Sequence, residues 1–302
     1  MLPFARVSII GLGLIGSSIA RAVRDAMPIV MLSGHDADAA VRETARALNL
    51  CDDITDTAGA AVTDADLVIL CMPLGAMAAV AEDIAADLPP EAVISDVGSS
   101  KAAVTAALAL ALPHHAIVPA HPVAGTERSG PEAGFAALFH KRWCILTPAE
   151  GTDATAVARV TSFWERIGAQ VEVMDPAHHD LVLAVTSHVP HLIAYTIVGT
   201  ASDLESVTQS EVIKYSAGGF RDFTRIAASD PTMWRDVFLT NKDAVLDVLQ
   251  RFSEDLTALQ RAIRWGDGDA LFDLFTRTRT IRRSIIEQGQ DDERPDFGRS
   301  DH

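Results

Sequence analysis

A glycine-rich turn near the N-terminus constrains the fold of this chain more than any other feature. Its sequence, GLGLIG at residues 11–16, directly follows an apolar run at residues 7–10 and opens a helical pattern. At this spacing the first glycine permits a tight turn, the second lets backbone approach a pyrophosphate, and the third lets the helix pack closely. The helix N-terminus adds free amides and the positive end of the helix dipole. We therefore predict a dinucleotide site whose cofactor-binding residues are Gly11, Gly13, Leu14, Ile15 and Gly16.

The hydrophobic period of the chain changes at about residue 175. Before this point, short β-rich apolar runs alternate with Ala-rich helical segments, as in βαβ units around a parallel sheet. After Asp175-Pro176, long helical patterns follow one another. We therefore predict an α/β fold in which residues 1–175 form a dinucleotide-binding domain, a Rossmann-type, doubly wound and mostly parallel sheet. Residues 176–287 are predicted to form an all-α helical domain, and the polar residues 288–302 a disordered tail.

The same patterns place the individual elements. The predicted strands lie at residues 7–10, 29–33, 67–72, 92–96, 117–120, 143–147 and 171–174. Long helices are predicted at residues 178–204, 233–264 and 269–287.

The charge balance limits the kinds of partner. Lys and Arg number 25 against 41 Asp and Glu, which gives a net charge of -16 at pH 7. Such a chain repels polyphosphates and anionic membrane surfaces, so we expect neither nucleic acid nor a membrane as partner. The three cysteines show no CxxC spacing, and the sequence shows no signal peptide and no apolar run approaching ~20 residues. These features predict a cytoplasmic protein that captures any anionic ligand with a local basic cluster.

Asp36 is the candidate that selects the cofactor. It ends the second predicted strand, about 20 residues beyond the glycine motif, where an acid accepts hydrogen bonds from the adenosine ribose. The alternative is a simple N-cap of the following helix. The next residues, Ala37-Asp38-Ala39, supply no Arg for a 2′-phosphate. The cofactor predicted from this segment is NAD rather than NADP.

Two further candidates follow predicted strands. His121 lies just past the strand at residues 117–120, at the carboxyl edge where open α/β sheets bind ligands. A histidine there can take a proton, and the alternative is a structural histidine. Ser99, in the segment DVGSSK after the preceding strand, either caps the next helix or orients His121 or a substrate hydroxyl.

A polar stripe runs along the first long predicted helix. Its members share spacings of three, four and seven residues and are Asp180, Ser187, His188, His191 and Tyr195. Pro190 removes a backbone bond to the carbonyl of Thr186, so we expect a kink or opening nearby. Such a stripe suits the wall of a site. A metal pair at His188 and His191 lacks a third ligand, so no metal is predicted, and a satisfied core histidine is the remaining alternative.

The connection at residues 214–234 holds glycines, aromatic residues, Arg221 and Arg225. Arg presents a planar fork that fits a carboxylate. Either Arg alternatively pairs with Asp222 or Asp230 on the surface. The residues alone leave that choice open.

Taken together, these segments resemble the prephenate and arogenate dehydrogenases, also called cyclohexadienyl dehydrogenases, of tyrosine biosynthesis. The resemblance covers about residues 6–286. Its motifs are GLGLIG, DVGSSK, HPVAGTERSG from His121, ILTP from Ile145, HHD from His178, SHVPH from Ser187 and GGFRDFTRIAASDPTMWRD from Gly218.

The resemblance implies NAD-dependent oxidative decarboxylation of prephenate, arogenate or both. It implies that His121 accepts the 4-hydroxyl proton, that Ser99 orients it, and that Arg225 anchors the substrate carboxylate. The other substrate-pocket residues that it implies are His188, Asp180 and Trp234. It also implies a homodimer formed largely through the helical domains.

Two other readings remain. A two-domain β-hydroxyacid dehydrogenase would carry a catalytic lysine on the long helix, and residues 178–204 contain none. A non-catalytic NAD-sensing protein would need the glycine motif and Asp36 but not Ser99, His121 and Arg225 together.

Overall fold

The computed structural model describes residues 2–126, 128–204 and 218–287. The described residues fall into two compact units, which divide between Leu246 and Asp247. The tail predicted at residues 288–302 and most of the connection before Gly218 lie outside the described residues.

A six-stranded parallel sheet forms the centre of the first unit. Its strand order is β3-β2-β1-β4-β5-β6, so the chain reverses direction across the sheet between β1 and β4. The strands are β1 (Arg6–Ile10), β2 (Met31–His35), β3 (Asp53–Ile54), β4 (Leu67–Leu70), β5 (Val93–Asp96) and β6 (Ala116–Ile117). The helices that alternate with them are α1 (Leu14–Ala26), α2 (Ala39–Ala47), α3 (Ala58–Val62), α4 (Met77–Ile84) and α5 (Ala102–Ala111). This topology confirms the predicted Rossmann-type fold.

Both faces of this sheet are covered. Ile9 packs into a hydrophobic cluster on one face, whereas the next residue, Ile10, packs into a second cluster on the other. Successive strand residues point to opposite faces, so a strand with apolar residues at every position requires two layers of helices. The continuous apolar runs that predicted β1, β4 and β5 have this cause.

The last predicted strands form a second sheet instead of extending the first. Its three strands are β7 (Ala120–Pro122), β8 (Trp143–Leu146) and β9 (Gln170–Val173), with β7 antiparallel to β8 and β8 parallel to β9. Helix α6 (Ala154–Arg166) connects the last two. The single strand predicted at residues 117–120 is divided between β6 and β7, because Pro119 has no N–H to continue a ladder.

Helices follow from residue 176 onward, as predicted. They are α7 (Pro176–Leu183), a π-helical turn (Ala184–His188), α8 (Val189–Asp203), α9 (Gly218–Thr224), a 3-10 turn (Arg225–Ala228), α10 (Pro231–Thr240), α11 (Lys242–Trp265) and α12 (Gly268–Glu287). The π-helical turn lies where Pro190 leaves the carbonyl of Thr186 without its usual donor, which accounts for the predicted opening.

The change of secondary structure at residue 175 does not coincide with the division between the compact units. Helices α7, α8 and α10 belong to the same unit as the parallel sheet. Asp180 of α7 accepts hydrogen bonds from the first turn of α5, and α10 packs against the turn Leu74–Ala76. These contacts bring the first part of the predicted helical domain against the sheet.

One helical segment is longer and more apolar than the sequence analysis predicted. The segment Pro176–Asp203 is long and apolar enough, by length and composition, to cross a membrane, and 28% of its most apolar stretch is buried. The expectation that no segment approaches that length was therefore wrong. His179, Asp180 and His188 of this segment are buried and hydrogen-bonded within the protein, so length and composition are weak evidence for a membrane span.

Candidate active site

The glycine turn forms an open cradle at the start of α1. Gly11 has φ +98°, and a Cβ there would lie 2.6 Å from the carbonyl oxygen of Cys71. A Cβ on Gly16 would lie 2.0 Å from the Gly11 oxygen. Neither position admits a side chain, which explains two of the three glycines. Gly13 is different, because a Cβ there would meet nothing within 4 Å.

This open space faces an uncapped helix N-terminus. Gly13 is the N-cap of α1 and provides no side-chain cap. The amides of the first turn are therefore available to an anion, and the helix dipole favours one there. The backbone fits the pyrophosphate of a dinucleotide.

Asp36 lies beside the cradle, at the end of β2. Its Oδ2 accepts from the backbone N–H of Leu12 at 2.8 Å, and its Oδ1 accepts from the N–H of Asp38 at 3.0 Å. The N-cap of α2 is Asp38, which accepts from Ala40. The alternative reading of Asp36 as a helix cap therefore fails.

At the carboxyl end of the sheet, His121 belongs to a row of three hydrogen-bonded side chains. Its Nδ1 lies 2.8 Å from Nε2 of His179, and Nδ1 of His179 lies 2.8 Å from Oδ1 of Asp180. His179 is 0% exposed, Asp180 4% and His121 8%. The outer end of this buried row is His121.

Asp180 is held in turn by helix α5. Its Oδ1 accepts from the N–H of Lys101 at 2.7 Å, and its Oδ2 accepts from the N–H of Ala102 at 2.9 Å. Burial alone would raise the pKa of Asp180, but the hydrogen bonds from His179, Ala102 and Lys101 bring that pKa below its ordinary value. Asp180 is therefore a fixed carboxylate that caps α5 from another helix.

The carboxylate determines which ring nitrogens carry hydrogen. An ionised carboxylate only accepts, so Nδ1 of His179 donates to Asp180, and a ring that carries its single hydrogen on Nδ1 keeps a lone pair on Nε2. Nδ1 of His121 then donates to that lone pair. Nε2 of His121 is left as the free base atom. Burial, followed by the nearby His179, Lys101 and His188, holds the pKa of His121 well below its ordinary value, so this atom is unprotonated at neutral pH.

A buried lysine fixes the strand that carries His121. Nζ of Lys101 contacts Asp96 at the end of β5 and donates to the carbonyl of Ala120 at 2.8 Å. Burial lowers the pKa of Lys101, and the charge of Asp96 opposes that shift. The ammonium thus ties β5, β7 and α5 together beside His121.

Ser99 is placed differently from the expectation. In the described part of the chain its hydroxyl makes no hydrogen bond to His121, whose Nδ1 is taken by His179. Nor does it cap α5, since the first-turn amides of that helix bind Asp180. The backbone of Ser99 lies near His188 instead. Orientation of His121 comes from α7 because the Asp180 carboxylate is fixed there.

His188, in the π-helical turn, and Trp234, on α10, lie next to this row and form one wall of the candidate site. Nδ2 of Asn241 donates to Nδ1 of His188 at 3.0 Å, which leaves the hydrogen on Nε2. Burial lowers the pKa of His188 to about 4, so the ring is neutral. Trp234 is 6% exposed. His188 Nε2 and Trp234 Nε1 are buried and have no hydrogen-bond partner within the described ranges.

His191 connects this wall to Arg225. Its ring stacks on Trp234 with a centroid distance of 3.7 Å, and its Nδ1 donates to the carbonyl of Ser187 at 2.8 Å. Burial is the main cause of the lowered pKa of His191, and the charge of Arg225 contributes. Arg225 is exposed, at the start of the turn Arg225–Ala228. The rings of His188 and His191 face Trp234 rather than a shared ligand, unlike the metal-pair alternative.

Three residues of this site were not among the predicted ones: His179, Lys101 and Asn241. His179 and Lys101 lie in the quoted motifs HHD and DVGSSK, so the motifs contained a signal. What distinguished them was burial, since His178 is exposed while its neighbour His179 is fully buried. Ranking the polar residues of each motif by their apolar surroundings would have favoured these positions.

Comparisons with known proteins identify the family of the chain. The chain matches the nucleotide-binding domain of prephenate dehydrogenase over residues 19–173 and the dimerization domain of prephenate dehydrogenase over residues 175–277. It is 47% identical over 285 residues to the cyclohexadienyl dehydrogenase of Zymomonas mobilis, covering 94% of this chain and 97% of that protein. It is 34% identical to the prephenate dehydrogenase of Bacillus subtilis, covering 91% and 74%.

A solved structure shows the same architecture. Prephenate dehydrogenase from Aquifex aeolicus, in complex with hydroxyphenyl propionate and NAD+, superposes with a TM-score of 0.88 at 34% identity. The match covers 94% of this chain and 98% of that one. By its sequence matches and its fold, this chain belongs to the prephenate dehydrogenase family.

Proposed function

We propose that this protein is an NAD-dependent dehydrogenase that oxidatively decarboxylates prephenate, arogenate or both in tyrosine biosynthesis. The products are 4-hydroxyphenylpyruvate from prephenate and tyrosine from arogenate. The observation that carries the proposal is the row Asp180–His179–His121, which presents a free ring nitrogen at the carboxyl end of the dinucleotide-binding sheet. Family membership supplies the substrate class.

His121 is the proposed base. The ring carbon that bears the 4-hydroxyl loses a hydride, the hydroxyl loses its proton, and the ring carboxylate leaves as CO2 while the ring becomes aromatic. Nε2 of His121 takes the hydroxyl proton. The positive charge that then forms on His121 is stabilised through His179 by the Asp180 carboxylate, as in other hydrogen-bonded histidine–carboxylate arrangements.

The substrate carboxylate is assigned to Arg225. A protein of net charge -16 attracts no dianion by its overall field, so a fixed cation must supply the attraction. Arg225 is exposed and lies close enough to His191 to affect that ring's pKa. Trp234 Nε1 is a buried donor that a bound ligand would satisfy, and His188, whose ring contacts Trp234, is proposed to line the same pocket. Ser99 is half-buried near His188 and is proposed to contact a substrate hydroxyl.

The residues of the glycine cradle are proposed to hold NAD. Gly13 and the first turn of α1, with Leu14 and Ile15, receive the pyrophosphate, and Asp36 receives the adenosine ribose. When bound, NAD supplies the hydride acceptor. The carboxylate of Asp36 disfavours a 2′-phosphate, so we propose NAD rather than NADP as the working cofactor.

We propose a homodimer whose subunits meet through the helical region. Large apolar side chains are exposed along the segment from α7 to α8, namely Leu181 on α7, Val185 in the π-helical turn, and Ile197 and Val198 on α8. A monomer that leaves such a surface in water is unusual, and a second copy would cover it. We also propose that the protein works in the cytoplasm, with neither nucleic acid nor a membrane as partner.

A parallel assay tests the activity. NADH formation is followed with prephenate and with arogenate, and the aromatic product is identified for each. Turnover of at least one substrate is expected. NADH binding without turnover of either would instead favour a cofactor-sensing protein, and oxidation of simple β-hydroxy acids alone would favour the other dehydrogenase class.

A further inference from the structure

Arg42, on α2, contacts the segment that follows β2 and is a candidate for a cation at the adenosine site. An Arg near this position in Rossmann folds commonly accommodates the 2′-phosphate of NADP. The residues directly after Asp36 include no Arg, but α2 brings Arg42 back to them from six positions along the chain. Its contacts decide between a phosphate ligand and another role.

The contacts of Arg42 occupy one nitrogen of its guanidinium, Nη1, with backbone carbonyls. Its Nη1 donates to the carbonyl of Asp36 at 2.8 Å and to the carbonyl of Ala37 at 3.1 Å. Its Nε lies 3.5 Å from Oδ1 of Asp56. The side chain is 15% exposed. Both Nη1 hydrogens are thus donated to backbone carbonyls, and the side chain is mostly buried.

The segment that Arg42 holds is the one that orients Asp36. Both carboxylate oxygens of Asp36 accept from backbone amides, one in the glycine cradle and one in Asp38. A rotation of residues 36 and 37 would break the bond to Leu12 and move the carboxylate away from the cradle. The two carbonyl bonds from Arg42 oppose that rotation.

We infer that Arg42 is a positioning residue for Asp36 that sets the preference for an unphosphorylated adenosine ribose, and is not a binding site for a 2′-phosphate. The inference rests on the proposed adenosine site at Asp36. Arg42 acts through the backbone of residues 36 and 37 and touches no cofactor atom itself.

Arg46 provides a matched control on the same helix. It binds Asp56 at 2.9 Å and the carbonyl of Ile54 at 2.8 Å, and it makes no contact with residues 36 and 37 in the described structure. Arg42→Met and Arg46→Met therefore remove the same charge next to the same acid. Only the first removes the bonds to the segment that carries Asp36.

The test is displacement of bound NADH by ADP-ribose and by 2′-phospho-ADP-ribose, followed by fluorescence. Arg42→Met is expected to weaken ADP-ribose binding by about 5- to 20-fold, the loss expected for charge-assisted bonds. Binding of 2′-phospho-ADP-ribose should weaken less, so the ratio of the affinities for ADP-ribose and 2′-phospho-ADP-ribose should become smaller. Arg46→Met should alter either affinity by no more than about 2-fold. Arg42→Lys keeps the charge without the two-carbonyl geometry and should show most of the same loss.

Two results would overturn the inference. Equal ADP-ribose affinities in Arg42→Met and Arg46→Met would show that the carbonyl bonds do not position Asp36. A larger loss for 2′-phospho-ADP-ribose than for ADP-ribose would make Arg42 a phosphate ligand. If Arg42→Met does not fold, Arg42→Lys decides by the same comparison. The assay contains no prephenate or arogenate, so failure of the proposed activity would leave this result readable.

Discussion

Each hydrogen bond in the row from Asp180 to His121 decides which ring nitrogen carries a hydrogen. Asp180 accepts, so His179 must donate from Nδ1, and His121 must then donate from its own Nδ1. Removing the middle residue would free His121 to rotate and to adopt the other tautomer. The activity of His121 as a base therefore depends on His179 as well as on His121 itself.

His179→Asn is expected to lower kcat by at least about 10-fold, because a base in the wrong tautomer loses much of its activity. The Kd for NAD should stay unchanged, since His179 does not contribute to the glycine cradle. His178→Asn is the matched control, because His178 is exposed on the same turn. A drop in NAD affinity equal to the drop in kcat would indicate a general structural role for His179.

Arg225 carries the other residue-scale prediction. Arg225→Ala should raise the substrate KM by at least about 10-fold, the equivalent of one charge-assisted hydrogen bond, and should leave the KM for NAD unchanged. Arg225→Lys should recover only part of the loss, since lysine lacks the planar fork. Arg221→Ala, on the exposed helix α9, is the control. An unchanged substrate KM in Arg225→Ala, with the fold intact, would move the anchor to Arg221, Arg128 or Lys214.

At the scale of secondary-structure elements, a side chain of one helix caps the N-terminus of another helix. The carboxylate of Asp180 on α7 accepts from the amides of Lys101 and Ala102, which begin α5. Because this bond pair joins positions 78 and 79 residues apart, it links helix packing to the geometry of the base. Loss of the charge should therefore affect stability and catalysis together.

Asp180→Asn keeps the shape of the side chain but leaves one oxygen to accept, so it should lower the free energy of unfolding by about 1 to 2 kcal/mol. Urea denaturation at pH 7 measures this. The contribution has a defined pH dependence. Because the folded pKa lies below the unfolded value of about 3.9, the stabilisation is present above pH 4 and is lost as the pH falls through the folded pKa. A wild-type advantage that did not decline as the pH is lowered below 4 would contradict this assignment.

The elements also show where prediction from sequence reaches its limit. The glycine cradle, β1 and the opening near Pro190 follow from residues within one or two turns of each other, so local patterns predicted them. The second sheet did not follow, because the pairing of β7 with β8 depends on residues more than 20 positions apart. His179 was missed for the same reason, since its meaning comes from His121, 58 residues away.

At the scale of the whole molecule, exposed apolar surface favours association of subunits, whereas the acidic net charge opposes it. A net charge of -16 keeps molecules apart in general, so association requires a specific apolar surface. The exposed residues of the segment from α7 to α8 provide one, with Val185 of the π-helical turn 54% exposed and Ile197 of α8 42% exposed. These numbers favour a self-associating helical region over a free monomer.

Sedimentation velocity tests the dimer. The wild type is expected to sediment as a dimer of about 64 kDa, twice the mass of one chain of 32.2 kDa. Ile197→Asp should shift it toward monomer, because a charge at a dry contact is costly. Leu110→Asp is the control, since Leu110 is 83% exposed on α5, outside the helical region. A wild type that remains monomeric at all concentrations would contradict the proposed homodimer.

The measurement that tests the central claim most directly is the turnover of His121→Asn with prephenate and arogenate, together with its affinity for NAD. Asn keeps a polar group of similar size but cannot take the hydroxyl proton. A kcat lowered by about 10²- to 10⁴-fold, with unchanged NAD affinity and an intact fold, is the predicted result. A variant that turns over either substrate at close to the wild-type kcat would contradict the account, because the row from Asp180 to His121 would then have no role in the reaction.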